Sequence, residues 1–252
     1  MPSAEPTAPT AENNHNLPPR DDPMLRHALS LLTILFTVFL TGCGMLPRMP
    51  LSEDSAKLDT SKPLYLMSVV VKNEYKQRYQ PNIVTVILAK DSGSTKPEQR
   101  AFRMDDKGSI TIETDDEEAT TFLVRFSTEP TPHSVLGFMS TARAFPLTTS
   151  YFVPLHADIP KADNGVHYLG SVKAVIRERQ DGEFRAGPPA PLIDQAVGGA
   201  SSGTFDIEIA DAYDSDIALF KKTFPALRGI EISRAILGPW DRARAQLYWE
   251  QN

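Results

Sequence analysis

Apolar runs dominate the chain from residue 64 onward and predict β-strands. Residues 64–71 (LYLMSVVV) and 83–89 (IVTVILA) are apolar at nearly every position, a pattern typical of central strands that are buried on both faces. In residues 109–113, 122–127 and 205–209, apolar and polar positions alternate, which predicts strands with one face in the core and one in solvent. The alternation assigns Arg125 to the polar face of its strand.

Proline and glycine refine this pattern. Residues 101–104 indicate an edge strand, and Pro146 and Pro154 confine the runs around them to edges or strand ends, because proline lacks the backbone N–H. Gly170 lies inside the long run 166–176 and indicates a β-bulge or a close backbone approach. The short spacing of the runs predicts a mainly β protein, specifically an immunoglobulin-like or transthyretin-like β-sandwich.

One or two short helices are predicted near the C-terminus, over residues 214–224 and 239–249. Pro225 marks the end of the first, and Pro239 suits the first turn of the second. The predicted apolar faces consist of Ile217, Phe220 and Phe224 in the first helix and of Trp240, Ala243 and Leu247 in the second. We expect Trp240 and Trp249 to hold the terminal helix against the sheets rather than to bind a partner.

A different apolar pattern precedes the strands. Residues 24–43 (MLRHALSLLTILFTVFLTGC) have a basic start at Arg26, an apolar core over residues 28–40, and a small residue, Gly42, before Cys43. These are the three parts of a secretory signal peptide. The apolar run falls short of the roughly 20 residues that span a bilayer, which argues against a transmembrane helix.

The end of this stretch, Leu40-Thr41-Gly42-Cys43, resembles the lipobox of bacterial lipoprotein signal peptides. The resemblance covers only the signal. It implies cleavage between Gly42 and Cys43, a diacylglyceryl group on the Cys43 sulfur and acylation of the new amino terminus. Gly44 replaces the aspartate that favours inner-membrane retention in that family, so the resemblance implies the outer membrane.

The predicted organisation has four parts. Residues 1–23 are polar and proline-rich and read as disordered, and they indicate either that translation starts at Met24 or that the protein has an unusually long leader that is removed. Residues 24–42 are the lipoprotein signal peptide, and residues 43–63 form a lipidated tether, because Pro47, Pro50 and Pro63 interrupt any helix. Residues 64–252 form a single β-sandwich domain with the C-terminal helices.

Charge and cysteine content narrow the function classes. Without residues 1–42 the formal charge is −4, from 24 basic and 28 acidic residues, and no basic run stands out, so nucleic acid is not an expected partner. Cys43 is the single cysteine, so no disulfide can form within the chain. The core alone must hold the domain together.

Two patterns could carry enzyme chemistry. His156 and Asp158 share one face of an extended segment, and with His167 nearby in sequence they could bind zinc or another divalent metal, although no HExxH-type spacing accompanies them. The Gly199–Gly203 stretch fits G-x-S-x-G, but no strand precedes Ser201 and no histidine follows it, so a nucleophile elbow is excluded.

Two further segments could bind a ligand. The acidic run Asp115, Asp116, Glu117 and Glu118 could hold calcium, but such a run at a hairpin end is usually solvated. Residues 180–204 form a loop too long for an ordinary hairpin, and such loops tend to be functional or disordered. If the chain has a recognition surface, we expect it in this loop, at the residues Phe184, Arg185, Leu192, Ile193 and Asp194.

These observations predict a non-catalytic envelope lipoprotein, anchored to the membrane through Cys43, that binds or assembles with another envelope protein or a cell-wall component. The alternative is a lipid-anchored, metal-dependent hydrolase that uses His156, Asp158 and His167. No nucleophile, base and acid occur together in a consistent context, which favours the first hypothesis. No cofactor is assigned.

Overall fold

A computed structural model describes residues 46–51, 58, 61–90, 98–113, 118–129 and 133–251. The described strands are β1 (Leu64–Asn73), β2 (Asn82–Lys90), β3 (Glu98–Arg103), β4 (Ser109–Glu113), β5 (Glu118–Ser127), β6 (His133–Ala144), β7 (Leu147–Asp158), β8 (Val166–Glu178), β9 (Gly203–Ala210) and β10 (Ile232–Arg234). The described α-helices are α1 (Leu192–Val197), α2 (Tyr213–Thr223) and α3 (Arg242–Gln251). Residues 106–108 and 225–227 form 3-10 turns. The prediction of a mainly β protein is confirmed.

The strands form two sheets. One has four antiparallel strands in the order β3-β2-β6-β7, so β3 and β7 are its edges. The other has the order β10-β8-β1-β5-β4, with β9 also paired to β8. The prediction that β3 is an edge strand is confirmed, and Pro154 lies in the other edge strand, β7.

Strand β8 pairs with two strands along one edge, and Gly170 separates them. The parallel strand β10 pairs with residues 166–168 and the antiparallel strand β9 with residues 171–178. On the other edge, Leu66 of β1 pairs with Tyr168 while Ser68 pairs with Ser171, so one extra residue of β8 bulges out. Gly170 has φ +115°, where glycine fits best. The predicted bulge is confirmed.

Strand β1 is buried on both faces, as predicted. Its residues Tyr65, Met67 and Val69 belong to a core cluster that includes residues of both sheets. Leu64 and Leu66 point to the opposite face and pack with Ile217, Phe220 and Phe224 of the α2 region, as well as Tyr168. Helix α2 therefore covers the outer face of the larger sheet, through the apolar face that the sequence predicted.

The prediction for Arg125 is wrong: its side chain is fully buried rather than solvent-facing. Its guanidinium forms an ion pair with Asp105, donates hydrogen bonds to the carbonyls of Pro50 and Leu123, and lies 4.2 Å from the ring centroid of Phe224. These partners replace water, which is why the charge is tolerated inside. Burial lowers the pKa of Arg125, while Asp105 acts in the opposite direction.

Part of the predicted tether is packed against the domain. Met49 and Leu51 are 2% and 4% exposed, and Arg48 forms a parallel β-bridge with Arg103. Leu46–Asn252 clusters as one compact unit. The apolar residues between the prolines explain this packing, because Met49 and Leu51 gain more by burial than they would on a free linker.

The terminal helix differs from its prediction. Helix α3 begins at Arg242 and buries Ala245, whereas Ala243 and Leu247 of the predicted apolar face are exposed. Hydrogen bonds from Gln246 set the orientation of α3. Its side chain accepts one from Phe184 N–H and donates one to the Gly182 carbonyl. Trp240 precedes the helix and donates a 2.9 Å hydrogen bond to the Pro154 carbonyl, so it holds this region to β7 as expected. Trp249 is 40% exposed, so the same expectation is wrong for this residue.

Candidate functional site

The predicted metal ligands do not form a site. His156 lies on β7 with its ring 4.4 Å from that of Tyr248, Asp158 forms an ion pair with Arg244, and His167 lies on β8 in the other sheet. The His167 ring nitrogen is 2.8 Å from the Asp163 carbonyl. Within the described residues, no group of three His, Cys, Asp or Glu side chains could hold a metal.

His156 has unusual local geometry although it carries no metal. Its backbone has φ +47°, its side chain is 5% exposed, and its Nε2 has no hydrogen-bond partner among the described residues. Burial, and secondarily the charge of Arg244, lower the pKa of His156 to about 4. His156 is therefore a neutral residue of the fold, packed under α3. Its pKa reports how closely α3 covers it.

Part of the long loop 180–204 is packed against the sheets. Phe184 and Ala186 are 1% and 0% exposed, which contradicts the expectation that Phe184 contacts a partner. Phe152 N–H donates to the Ala186 carbonyl, and Ala186 N–H donates to the Gly203 carbonyl, so this segment bridges β7 and β9. The G-x-S-x-G stretch follows helix α1 and leads into β9, the reverse of a nucleophile elbow.

Helix α1 lies against the first residues of β7, next to the β6–β7 turn. The Asp194 carboxylate accepts a 3.0 Å hydrogen bond from Thr148 N–H, and the Asp194 carbonyl accepts one of 2.7 Å from the Thr149 hydroxyl. Gln195, which is 1% exposed, accepts a 3.1 Å hydrogen bond from Ser150 N–H. The polar side of α1 is thus used for attachment.

The opposite side of α1 and the adjacent turn expose apolar side chains. Phe145 is 95% exposed, Leu192 76%, Ile193 70% and Val197 41%. We call these four residues the apolar tip. Residues 186–205 contain a single charged residue, Asp194, whose carboxylate is bonded to β7, in a chain that is 23% charged. Exposed apolar groups gathered in this way mark interaction sites more often than isolated ones do.

The apolar tip is remote from the point where the chain enters the domain. Arg48 pairs with Arg103 of β3, and that register continues through Thr85 of β2 to Met139 of β6. Phe145 lies six residues beyond Met139, about 20 Å along the strand. Helix α1 lies at the β7 edge, while Arg48 lies at the β3 edge.

Two polar clusters at α2 are satisfied by contacts among the described residues. Asp216 is 8% exposed and accepts hydrogen bonds from Ser68 and Tyr168, each 2.5 Å. Burial, followed by the contact with Asp216, raises the pKa of Tyr168. A shallow cleft at the start of α2 contains Arg234, which forms an ion pair with Asp211. Neither arrangement combines a nucleophile with a free base.

Other predicted sites lie outside the described residues. They include Cys43 and the whole signal, and also Asp115, Asp116 and Glu117 of the acidic run. Glu118 begins β5. Among the residues that the structure does describe, no helix is long and apolar enough to cross a membrane.

Sequence reasoning identified Leu192 and Ile193 but missed Phe145 and Val197. A signal for Phe145 was available: it stands directly before Pro146 between two strand-like runs, and a side chain in a two-residue turn extends beyond the core. Helix α1 has six residues, too few for its apolar period to be read. Comparisons with protein-family models, curated proteins and solved structures found no match to the chain.

Proposed function

We propose that the chain is a non-catalytic envelope lipoprotein, anchored through Cys43, that binds another envelope protein through the apolar tip. The observation that carries this proposal is the exposure of Leu192 and Ile193 on α1 and of Phe145 in the β6–β7 turn, three residues before Thr148, which is hydrogen-bonded to α1. A protein partner suits the tip better than a cell-wall glycan does, because glycan hydroxyls need hydrogen-bond partners and the tip presents none from its side chains.

The position of the anchor favours another protein, rather than the membrane that carries the anchor, as the partner of the apolar tip. Two residues, Gly44 and Met45, separate Cys43 from Leu46, so the chain between the proposed lipid site and the Leu46 end of the domain spans at most about 10 Å. The apolar tip lies farther away than this, at the opposite edge of the four-stranded sheet. A domain anchored to the membrane at its Leu46 end therefore leaves the apolar tip free to bind a partner in the adjacent compartment.

The tip is large enough to contribute substantially to binding. Burying an apolar side chain is worth about 1.5–3 kcal/mol, so burial of the exposed parts of Phe145, Leu192 and Ile193 would yield on the order of 4–7 kcal/mol. Association costs offset much of this value. The tip would therefore supply the central anchor of an interface whose rim adds the remaining affinity.

The finer architecture is part of the proposal. Two sheets that share one core support a β-sandwich, for which we propose immunoglobulin-like or transthyretin-like packing. The parallel pairing of β1 with β8 can be compared with the strand pairing of each of these two sandwich types. We also propose outer-membrane localisation, on the basis of Gly44.

The anchor is tested by Cys43→Ser. We expect this variant to move from the membrane fraction to the soluble fraction, or to accumulate as unprocessed precursor, because the substituted side chain has no sulfur for the thioether. An unchanged distribution between the fractions would contradict the lipid anchor.

The binding role is tested by chemical crosslinking in intact cells. We expect a discrete crosslinked species for the wild type that is lost in the Leu192→Ser/Ile193→Ser variant. The matched control is Leu247→Ser, because Leu247 is 54% exposed on α3, away from the tip, and we expect this variant to retain the species. Equal crosslinking by all three proteins would contradict a role of the tip.

A further inference from the structure

The β3 edge of the four-stranded sheet is basic in an otherwise acidic chain. Arg48, Arg100 and Arg103 are all exposed there, whereas the chain as a whole has a formal charge of −6. We call these three residues the arginine edge. Leu46, which is 45% exposed, lies two residues before Arg48. Glu98 is the acidic residue of β3.

Two residues of the arginine edge, Arg48 and Arg103, carry like charges and lie next to each other. Arg48 and Arg103 are direct partners in a parallel β-bridge, and Pro47 accepts a hydrogen bond from Arg103 N–H. Like charges on directly paired residues destabilise a sheet. Within the described residues, neither guanidinium forms a salt bridge, so an anion that binds both would relieve the repulsion.

The arginine edge is also where a lipid anchor would hold the domain. This step rests on the proposed function. The two residues between Cys43 and Leu46 limit the chain between the proposed lipid site and the domain to about 10 Å. Burial of Met49 and Leu51 prevents the following segment from lengthening that connection without loss of packing.

We infer that the arginine edge contacts the anionic headgroups of the membrane that holds the anchor, and so orients the domain with the apolar tip away from the bilayer. Phospholipid phosphates match arginine, whose planar guanidinium binds phosphate oxygens in pairs. Each basic residue near an anionic membrane surface strengthens binding about fivefold. Arg48 and Arg103, which are paired directly on this edge, therefore suffice to select one orientation of a domain that is already tethered.

The test uses the intact lipidated protein in phosphatidylcholine vesicles with and without phosphatidylglycerol. Because Cys43 is the single cysteine and the proposed diacylglyceryl thioether blocks its sulfur, an introduced cysteine is labelled alone. Donor fluorophores are placed at Gln99→Cys on β3 or at Thr148→Cys beside the tip, both exposed positions, and a headgroup-labelled lipid is the acceptor. Energy transfer then reports which end of the domain faces the bilayer.

We expect stronger transfer from position 99 than from position 148, and a larger difference with phosphatidylglycerol. Arg48→Gln/Arg103→Gln should reduce the difference to its value in phosphatidylcholine alone, whereas the control Arg143→Gln, an exposed arginine of β6, should leave it unchanged. Equal transfer from both positions would overturn the inferred contact between the arginine edge and the headgroups, but not the anchor. A difference in transfer that changes neither with lipid charge nor with the double substitution would have the same consequence. An unacylated Cys43 by mass spectrometry overturns the proposed anchor and this inference together.

Discussion

The buried Arg125 offers the sharpest test of how the N-terminal segment is held. Arg125→Met keeps much of the side-chain volume but removes the ion pair with Asp105 and the 2.6 Å hydrogen bond to the Pro50 carbonyl. Because Arg125 is 0% exposed and Asp105 is 23% exposed at its side chain, the pair is shielded from water. Breaking one side of such a pair costs about 3–5 kcal/mol, a large share of the roughly 5–15 kcal/mol that stabilises a domain.

The loss can be measured in two ways. Urea denaturation gives the free energy of unfolding, and limited trypsin digestion reports cleavage after Arg48, whose neighbour Met49 is buried in the wild type. We expect Arg125→Met to lower the free energy of unfolding by the stated amount and to accelerate that cleavage. The control Arg143→Met, on the exposed surface, should change stability by about 0.5 kcal/mol or less. Equal effects of the two substitutions would refute the role assigned to Arg125.

Three further changes test the packing around the site. His156 has a pKa of about 4 in the folded protein and an ordinary pKa of 6.5 in the unfolded chain, so the unfolded chain binds the proton first as the pH falls. Stability therefore falls by about 3 kcal/mol between pH 6.5 and pH 4. His156→Phe should flatten this part of the urea-midpoint profile, and an unchanged slope would contradict the assignment. Tyr168→Phe removes a donor to the buried Asp216 and should cost about 1–3 kcal/mol in thermal or urea unfolding, with no loss arguing against that network. A Cβ at Gly198 would lie 2.1 Å from the Thr149 hydroxyl, so Gly198→Ala should displace α1, cost about 1–3 kcal/mol and weaken crosslinking by the tip; wild-type crosslinking would contradict this.

The predictable parts of the fold are those in which local pattern and burial agree. The alternation in 205–209, the apolar run of β1, the glycine of β8 and the face of α2 each lead to the observed element. Arg125 fails because its burial depends on Asp105 and Pro50, which are distant in sequence. A single sequence carries no signal for such contacts between residues that are distant along the chain.

The candidate site was predictable only in part for a similar reason. Leu192 and Ile193 attract attention as apolar residues in a polar loop, but their exposure depends on the attachment of α1 to β7 through Asp194. Phe184 looks equivalent in sequence and is instead buried, with its ring 6.4 Å from that of Trp240. Tertiary contacts, rather than composition, decide which apolar residue of this loop is exposed.

The apolar tip is the central claim, and site-specific photocrosslinking in intact cells tests it most directly. A photoreactive phenylalanine analogue is placed at Phe145, at Ile193 or, as a control, at Leu247, in the otherwise unchanged chain. We predict that positions 145 and 193 crosslink to the same envelope protein, that position 247 does not, and that Cys43→Ser abolishes the product. Different products from positions 145 and 193, or the same product from position 247, would contradict a single partner-binding surface at the tip.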